Sequence, residues 1–226
     1  MPDQPAGPDP AQPFVLVDDL AAPMLGDADR HHLERVRRLR AGAPLIVGDG
    51  AGSFRAVTFG PALAIAGPVR SVPAPTPTTT VGFALTKGDK PELVVQKLTE
   101  IGVDVIIPFV AERSITRWDG AKAARNVERW RTIAREACAQ SHRPHLPLVH
   151  EVSSFATVAE GAVLAHWADG GQAPFPGTTV LVGPEGGWSA AELAAVPGRV
   201  HLGPHVLRAE TAALVAGVRL VASRSP

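Results

Sequence analysis

From residue 81 to residue 222, apolar runs alternate with stretches of helical periodicity, and this rhythm constrains the fold more than anything else in the chain. Residues 81–86 read as a strand. Pro91 then opens a helix that runs to Ile101, with Asp89 near its cap and Gly102 at its end. Residues 103–110 form a near-continuous apolar run, the mark of a strand buried on both faces. A long helix over 121–141 follows, then strands at 148–152, 162–166 and 178–182. Ser189 and Glu192 stand at capping-box spacing ahead of a further helix, 200–202 is a short strand, and 209–222 is a final apolar helix. Such alternation implies an α/β domain with a mostly parallel sheet covered on both faces.

Upstream the pattern differs. Residues 1–13 carry Pro2, Pro5, Pro8, Pro10 and Pro13 with almost no large apolar residues, and read as a disordered tail. Residues 71–80 place proline at alternate positions and read as a semi-stiff linker. Between them, 14–70 reads as a small β-rich unit with one helix. Asp27 or Asp29 caps that helix, which runs to about Leu39. Strands at 43–47 and 53–59 flank a turn at Asp49-Gly50-Ala51-Gly52, and another lies near 63–66, which suggests a small barrel. The expected domains are therefore 1–13, 14–70, 71–80 and 81–226.

Composition narrows the classes. No apolar run approaches the roughly 18 residues of a membrane-spanning helix, and the N-terminus lacks the basic and apolar segments of a secretory signal. Cys138 is the only cysteine, so intrachain disulfides and cysteine zinc sites are excluded and a reducing cytoplasm fits. The pairs His142/His145 and His201/His205 are interrupted by proline or glycine, and no metal is expected. A net charge of zero argues against nonspecific wrapping of nucleic acid but permits a local patch. The stretch Leu45–Gly52 superficially matches a dinucleotide fingerprint, but a strand follows it, so a hairpin is the better reading.

Two loops carry the functional signal: Gly183-Pro184-Glu185-Gly186-Gly187 and Leu202-Gly203-Pro204-His205-Val206-Leu207-Arg208-Ala209-Glu210-Thr211. Each lies between a strand and a helix, where open α/β sheets hold ligands. The glycines let backbone approach a ligand closely, and Pro184 fixes one φ. Arg208 and Glu210 flank the last helix; they pair or cap locally, or Arg208 stabilises developing negative charge. Two basic sets are also present. One is Arg30, His31, His32, Arg35, Arg37, Arg38 and Arg40; the other is Arg125, Arg129, Arg131 and Arg135, leading into Gln140-Ser141-His142-Arg143. A solvated helix face and a phosphate-contacting surface both fit each set.

The run Gly-Pro-Glu-Gly-Gly-Trp-Ser-x-x-Glu, followed by Leu-Gly-x-x-Val-Leu-Arg-x-Glu-Thr-Ala, resembles the signature of the RsmE family of ribosomal RNA uridine-N3 methyltransferases, within the knotted SPOUT class. The resemblance extends to Gln96-Lys97-x-x-Glu100-x-Gly102, to Glu136-Ala137-x-x-Gln140-Ser141-x-Arg143-x-x-x-Pro147 and to the Asp49-Gly50-x-Gly52 turn, covering about residues 14–222. It implies a C-terminal SPOUT-type knotted domain with a mostly parallel sheet, plus a small N-terminal PUA-like β-barrel domain that binds RNA. It also implies a cytoplasmic homodimer that uses S-adenosylmethionine to methylate N3 of a uridine in small-subunit (16S) ribosomal RNA, naked or in the assembled subunit. The cofactor would lie among Leu164, Ala165 and His166; Gly183, Pro184, Glu185, Gly186 and Gly187; and Leu202, Gly203, Val206, Leu207 and Arg208. Arg208 would stabilise the uridine anion with Glu210 orienting it, and Glu185 would act as base or order its loop. Arg30, His31, Arg37, Arg38, Gln140, Ser141 and Arg143 would grip RNA, from one protomer or from opposite protomers. His205 stands where the family usually has arginine, and Trp188 where phenylalanine is common. Methylation of a ribose 2′-hydroxyl or another base, and a non-enzymatic ribosome-assembly role, are the alternatives.

Overall fold

The computed structural model describes residues 7–167 and 177–224. They fall into two compact units: one within Met1–Pro75 together with Arg135–Leu146, the other within Thr76–Ala134 and Pro147–Pro226.

In the first unit β1 (Phe14–Leu16) pairs parallel with β2 (Pro44–Gly48), and β3 (Ser53–Thr58) pairs antiparallel with β2. β4 (Ala64–Ile65) and β5 (Arg70–Ser71) both pair antiparallel with β3. Among the described residues these pairings run as an open path. Strand side chains alternate between faces, so two apolar clusters form. Val15, Leu45, Val47 and Val57 pack with Leu33 on one side, whereas Phe14, Leu16, Ile46 and Phe54 pack with Cys138 on the other. Residues 135–146 thus complete the second face, which local sequence pattern did not reveal. Burial pushes the Cys138 thiol up to about 11, against the opposing pull of Arg143 and Arg135.

The turn after β2 forms as expected. Asp49 Oδ1 accepts the amides of Ala51 and Ser53 at 2.7 and 3.0 Å. Gly52 has φ +102°, and a Cβ there would come within 2.4 Å of the His145 ring. Three expectations change. α1 (Asp27–His31) continues into a π-helical turn (His32–Val36) that ends before Leu39, because Arg38 adopts φ +54°. Its N-cap is Gly26, with Asp27 and Asp29 in the first turn, where they face the positive helix end. Residues 8–13 are ordered rather than a tail: Pro8 is buried, the Gln12 amide donates to the Asp9 carbonyl at 3.2 Å, and His142 Nε2 donates to the Gln12 carbonyl at 2.8 Å. Residues 1–6 of that expected tail lie outside the described residues.

The second unit is a mixed α/β fold around a parallel sheet. Its strands are β6 (Thr80–Ala84), β7 (Val105–Val110), β8 (Leu148–Val149), β9 (Ser153–Ser154), β10 (Val163–Ala165), β11 (Thr179–Val182) and β12 (Arg199–Val200). The order is β12-β10-β11-β6-β7-β8, with β9 also on β7, and every pairing is parallel. Among its helices are α2 (Lys90–Ile101), α3 (Gly120–Ser141, whose last turns belong to the first unit), α4 (Phe155–Val158), α5 (Ala190–Ala195) and α6 (Ala209–Ala222). Pro91 sits in the first turn of α2 and Gly102 closes it at φ +105°. The expected strand at 148–152 is instead two short strands, β8 and β9. Val81, Phe83, Leu98, Trp130 and Leu220 belong to one core; Phe109, Leu164, Leu181 and Trp188 belong to a second. Apolar residues on both faces of β7 explain why its run has so few polar interruptions.

Candidate functional site

Parallel strands place all their carboxyl ends on one edge, and the loops leaving that edge meet. In the second unit those after β7, β10, β11 and β12 enclose a cavity of about 580 Å³, within the range of small-molecule sites. It is lined by Ala165, His166, Gly183, Pro184, Glu185, Gly186, Gly187, Leu202, Gly203, Val206, Leu207 and Arg208, all expected from sequence. Leu164 is not among them. It is fully buried in β10 and packs into the core, because neighbouring strand residues point to opposite faces.

The loop after β11 is held from three sides. Trp188 stacks on Phe109, with centroids 6.1 Å apart and planes 3° from parallel, and its Nε1–H donates to the Ala165 carbonyl at 2.9 Å. A Cβ on Gly183 would lie 3.0 Å from the Trp188 ring, closer than side chains ordinarily pack, so glycine suits the indole's position. The capping box is complete: Ser189 Oγ accepts the Glu192 amide, and Glu192 Oε2 accepts the Ser189 amide at 2.9 Å. Glu192 Oε1 also accepts the Glu112 amide at 2.8 Å, which ties this loop to the one after β7. Arg113 adds a bond from Nη1 to the Gly186 carbonyl at 3.2 Å.

Charge at the rim is arranged differently from the sequence expectation. Glu210 does not reach Arg208; it faces the Lys90 ammonium at 3.5 Å and lies off the cavity. Lys90 also donates to Glu185 Oε1 at 3.0 Å. Burial pushes the Glu185 carboxyl pKa upward, but a backbone hydrogen bond, Lys90 and Lys87 outweigh it and hold the group below its ordinary value. A carboxylate so stabilised is a poor proton acceptor. The Arg208 side chain is exposed, with no hydrogen bond or ion pair among the described residues. Arg113, Trp167, Trp188, His205, Ala209 and Ala212 also line the cavity. Arg113 could have been found by applying the strand-end rule to the loop after β7.

The basic residues of the first unit divide. Arg30 is engaged locally: it donates to the Gly60 and Pro61 carbonyls at 3.0 and 3.1 Å and covers the Phe59 ring. These contacts give Arg30 a structural role within the first unit. His31, Arg37, Arg38 and Gln140 are exposed, and Ser141 Oγ donates to the Ala137 carbonyl at 2.7 Å. Arg143 is half-buried. Burial lowers the His142 pKa, and Arg37 lowers it further while Asp9 opposes. Arg37 and the 140–143 segment thus belong to one unit of one chain, so opposite protomers are not needed to bring them together. No group of side chains suited to a metal, and no helix long and apolar enough to cross a membrane, occurs among the described residues.

Residues 73–221 match the RNA methyltransferase domain family. A ribosomal RNA small subunit methyltransferase E of Mycobacterium bovis is 35% identical, over 89% of this chain and 87% of its own. Two solved structures share the fold. A methyltransferase of Legionella pneumophila, in complex with S-adenosylmethionine, has a TM-score of 0.80 at 26% identity, covering 93% of this chain and 97% of its own. The ribosomal RNA small subunit methyltransferase E of Neisseria gonorrhoeae, also bound to S-adenosylmethionine, has a TM-score of 0.77 at 26% identity, covering 91% and 95%. The chain belongs to the ribosomal RNA small subunit methyltransferase E family.

Proposed function

We propose that this chain methylates N3 of a uridine in small-subunit ribosomal RNA, with S-adenosylmethionine as donor. The observation that carries the reading is the glycine-walled cavity at the carboxyl edge of the parallel sheet, with an uncommitted arginine at its rim.

The cavity suits the cofactor. Ala165, Val182, Leu202 and Ala212 offer apolar surface to a nucleobase. A Cβ on Gly203 would meet no atom within 4 Å, so that side of the cavity is open to ligand beside bare backbone amide and carbonyl groups. The segments at 165–166, 183–187 and 202–208 would hold the cofactor, which when bound supplies an electrophilic methyl group. Uracil N3 becomes nucleophilic only on losing its proton. Arg208 can donate to O2 or O4 as negative charge develops there, the kind of assistance that raises a rate without tightening ground-state binding. The committed charges of Glu185 and Glu210 leave the proton to solvent or to the RNA itself. Arg37, Arg38 and the exposed residues of 140–143 would contact phosphates, within a PUA-like first unit. A trefoil knot, a cytoplasmic homodimer and an extruded target uridine complete the reading.

The direct test incubates the protein with labelled S-adenosylmethionine and unmodified small subunits, then maps the product nucleoside. N3-methyluridine at one position supports the reading; a 2′-O-methyl product refutes it. Arg208→Ala is expected to lower the single-turnover rate by about 10²-fold or more while cofactor affinity changes little. Equal losses in both would make Arg208 a cofactor-loop residue instead.

A further inference from the structure

Lys90, the first residue of α2, makes contacts that neither the cavity lining nor the reaction accounts for. Its ammonium lies 3.0 Å from Glu185 Oε1 and 3.5 Å from Glu210 Oε2. Glu185 belongs to the loop after β11, and Glu210 to the first turn of α6, just beyond Arg208. One cation therefore joins two segments that wall the same cavity but approach it from different strands. The two arms are unequal. Glu185 is 46% exposed, and an exposed pair of this kind contributes little on its own. The Glu210 side chain is 13% exposed, and its Oε2 is buried and accepts no hydrogen bond among the described residues. Lys90 is the nearest compensation for that oxygen, and a buried charge stripped of its partner is costly.

We propose that Lys90 is a positioning residue for cofactor binding: it holds the 183–187 loop and the Arg208–Glu210 segment at a fixed spacing, so that the cavity is formed before a ligand enters. The inference rests on the cavity being the S-adenosylmethionine site. A preformed cavity binds more tightly because less ordering remains to be done on association. The hydrogen bond to Glu185 raises the Lys90 pKa against the effect of desolvation, and both carboxylates add to the rise, which favours the charged ammonium that the two contacts need.

The test uses the full chain and four variants: Lys90→Met, Lys90→Arg, Glu210→Gln and the double change Lys90→Met with Glu210→Gln. Calorimetry with S-adenosylmethionine, steady-state kinetics and amide exchange are measured on each. Lys90→Met is expected to weaken cofactor affinity about five- to tenfold. It should raise KM for cofactor far more than it lowers kcat, and speed exchange of the Gly187 amide, which donates to the Pro184 carbonyl. Lys90→Arg should restore affinity to within about twofold. The double change should lose less than the two single changes together, because the stranded charge is gone. Unchanged affinity and exchange in Lys90→Met would overturn the proposal, as would strict additivity or an equal loss in Lys90→Arg. Should Lys90→Met fail to fold, Glu210→Gln decides: about threefold weaker binding supports the proposal, and wild-type binding overturns it. Failure of the wild-type chain to bind the cofactor would instead refute the reading of the cavity.

Discussion

Glu192→Gln isolates one carboxyl group that organises the cavity from behind. The residue is 4% exposed, and its two oxygens accept two backbone amides, Glu112 at 2.8 Å and Ser189 at 2.9 Å. Glutamine keeps the shape but offers one acceptor oxygen and one NH₂ group. Whichever way it turns, one amide must face a donor. The cost is one hydrogen bond to a charged group, about 1.5–3 kcal/mol, part of it the penalty of a buried N–H left unsatisfied. Ser189→Ala removes only the bond to the Glu192 amide and should cost about 1 kcal/mol. Glu192→Ala abandons both amides and should cost about 3–6 kcal/mol, the sum of two such losses. The four tryptophans, Trp118, Trp130, Trp167 and Trp188, all lie in the second unit, so their fluorescence during urea unfolding reports that unit by itself. The expected order of destabilisation is Glu192→Ala, then Glu192→Gln, then Ser189→Ala. A loss below about 0.5 kcal/mol for Glu192→Gln, no more than an ordinary surface change, would show that the twofold acceptor role is wrong.

Gly183→Ala drives a Cβ to 3.0 Å from an indole that is fixed by stacking and by its bond to Ala165. It should cost about 1–3 kcal/mol and weaken cofactor binding; wild-type values in calorimetry and unfolding would mean the ring yields freely. Arg37→Glu with Arg38→Glu should lower RNA affinity and flatten its dependence on salt, and an unchanged slope would remove both residues from the footprint. Glu185 is held below its ordinary value of 4.5, so its pairing stabilises fully above that pH and is lost as pH falls through the lower folded value. Lys90 is held above 10.5, so its share is complete below that pH and is lost as pH rises through the higher folded value. Glu185→Gln should therefore flatten the acid limb of the stability profile, and an unaltered limb would show the pair to be energetically silent.

Much of this was legible in the residues because its causes are local. The strands of the second sheet are buried and so nearly uniformly apolar, the Ser189–Glu192 box caps α5 as spacing predicts, and α6 has the expected ends. Glycine loops after strands pointed to the cavity. What escaped has causes distant in sequence or carried by an atypical residue. Arg38 ends the first helix with no glycine to signal it. Glu210 turns to Lys90, far upstream, rather than to nearby Arg208. Leu164 lies one residue from the cavity lining, a step that in a strand reverses the direction of the side chain.

The division of the chain has a consequence for how the protein is made. The first unit is encoded in two pieces, and the second piece, Arg135–Leu146, supplies Cys138 to one of its cores and His142 and His145 to its backbone contacts. During synthesis the segment through Pro75 leaves the ribosome first but with one face of its sheet uncovered. It must wait for helix α3 to be translated before that face can close. Domains built from continuous segments finish in order of emergence; here the first unit cannot close until Leu146 has emerged, when the stretch Thr76–Ala134 of the second unit is already made. A fragment ending at Pro75 should accordingly expose Phe14, Leu16, Ile46 and Phe54 and aggregate, whatever RNA its surface would otherwise recognise.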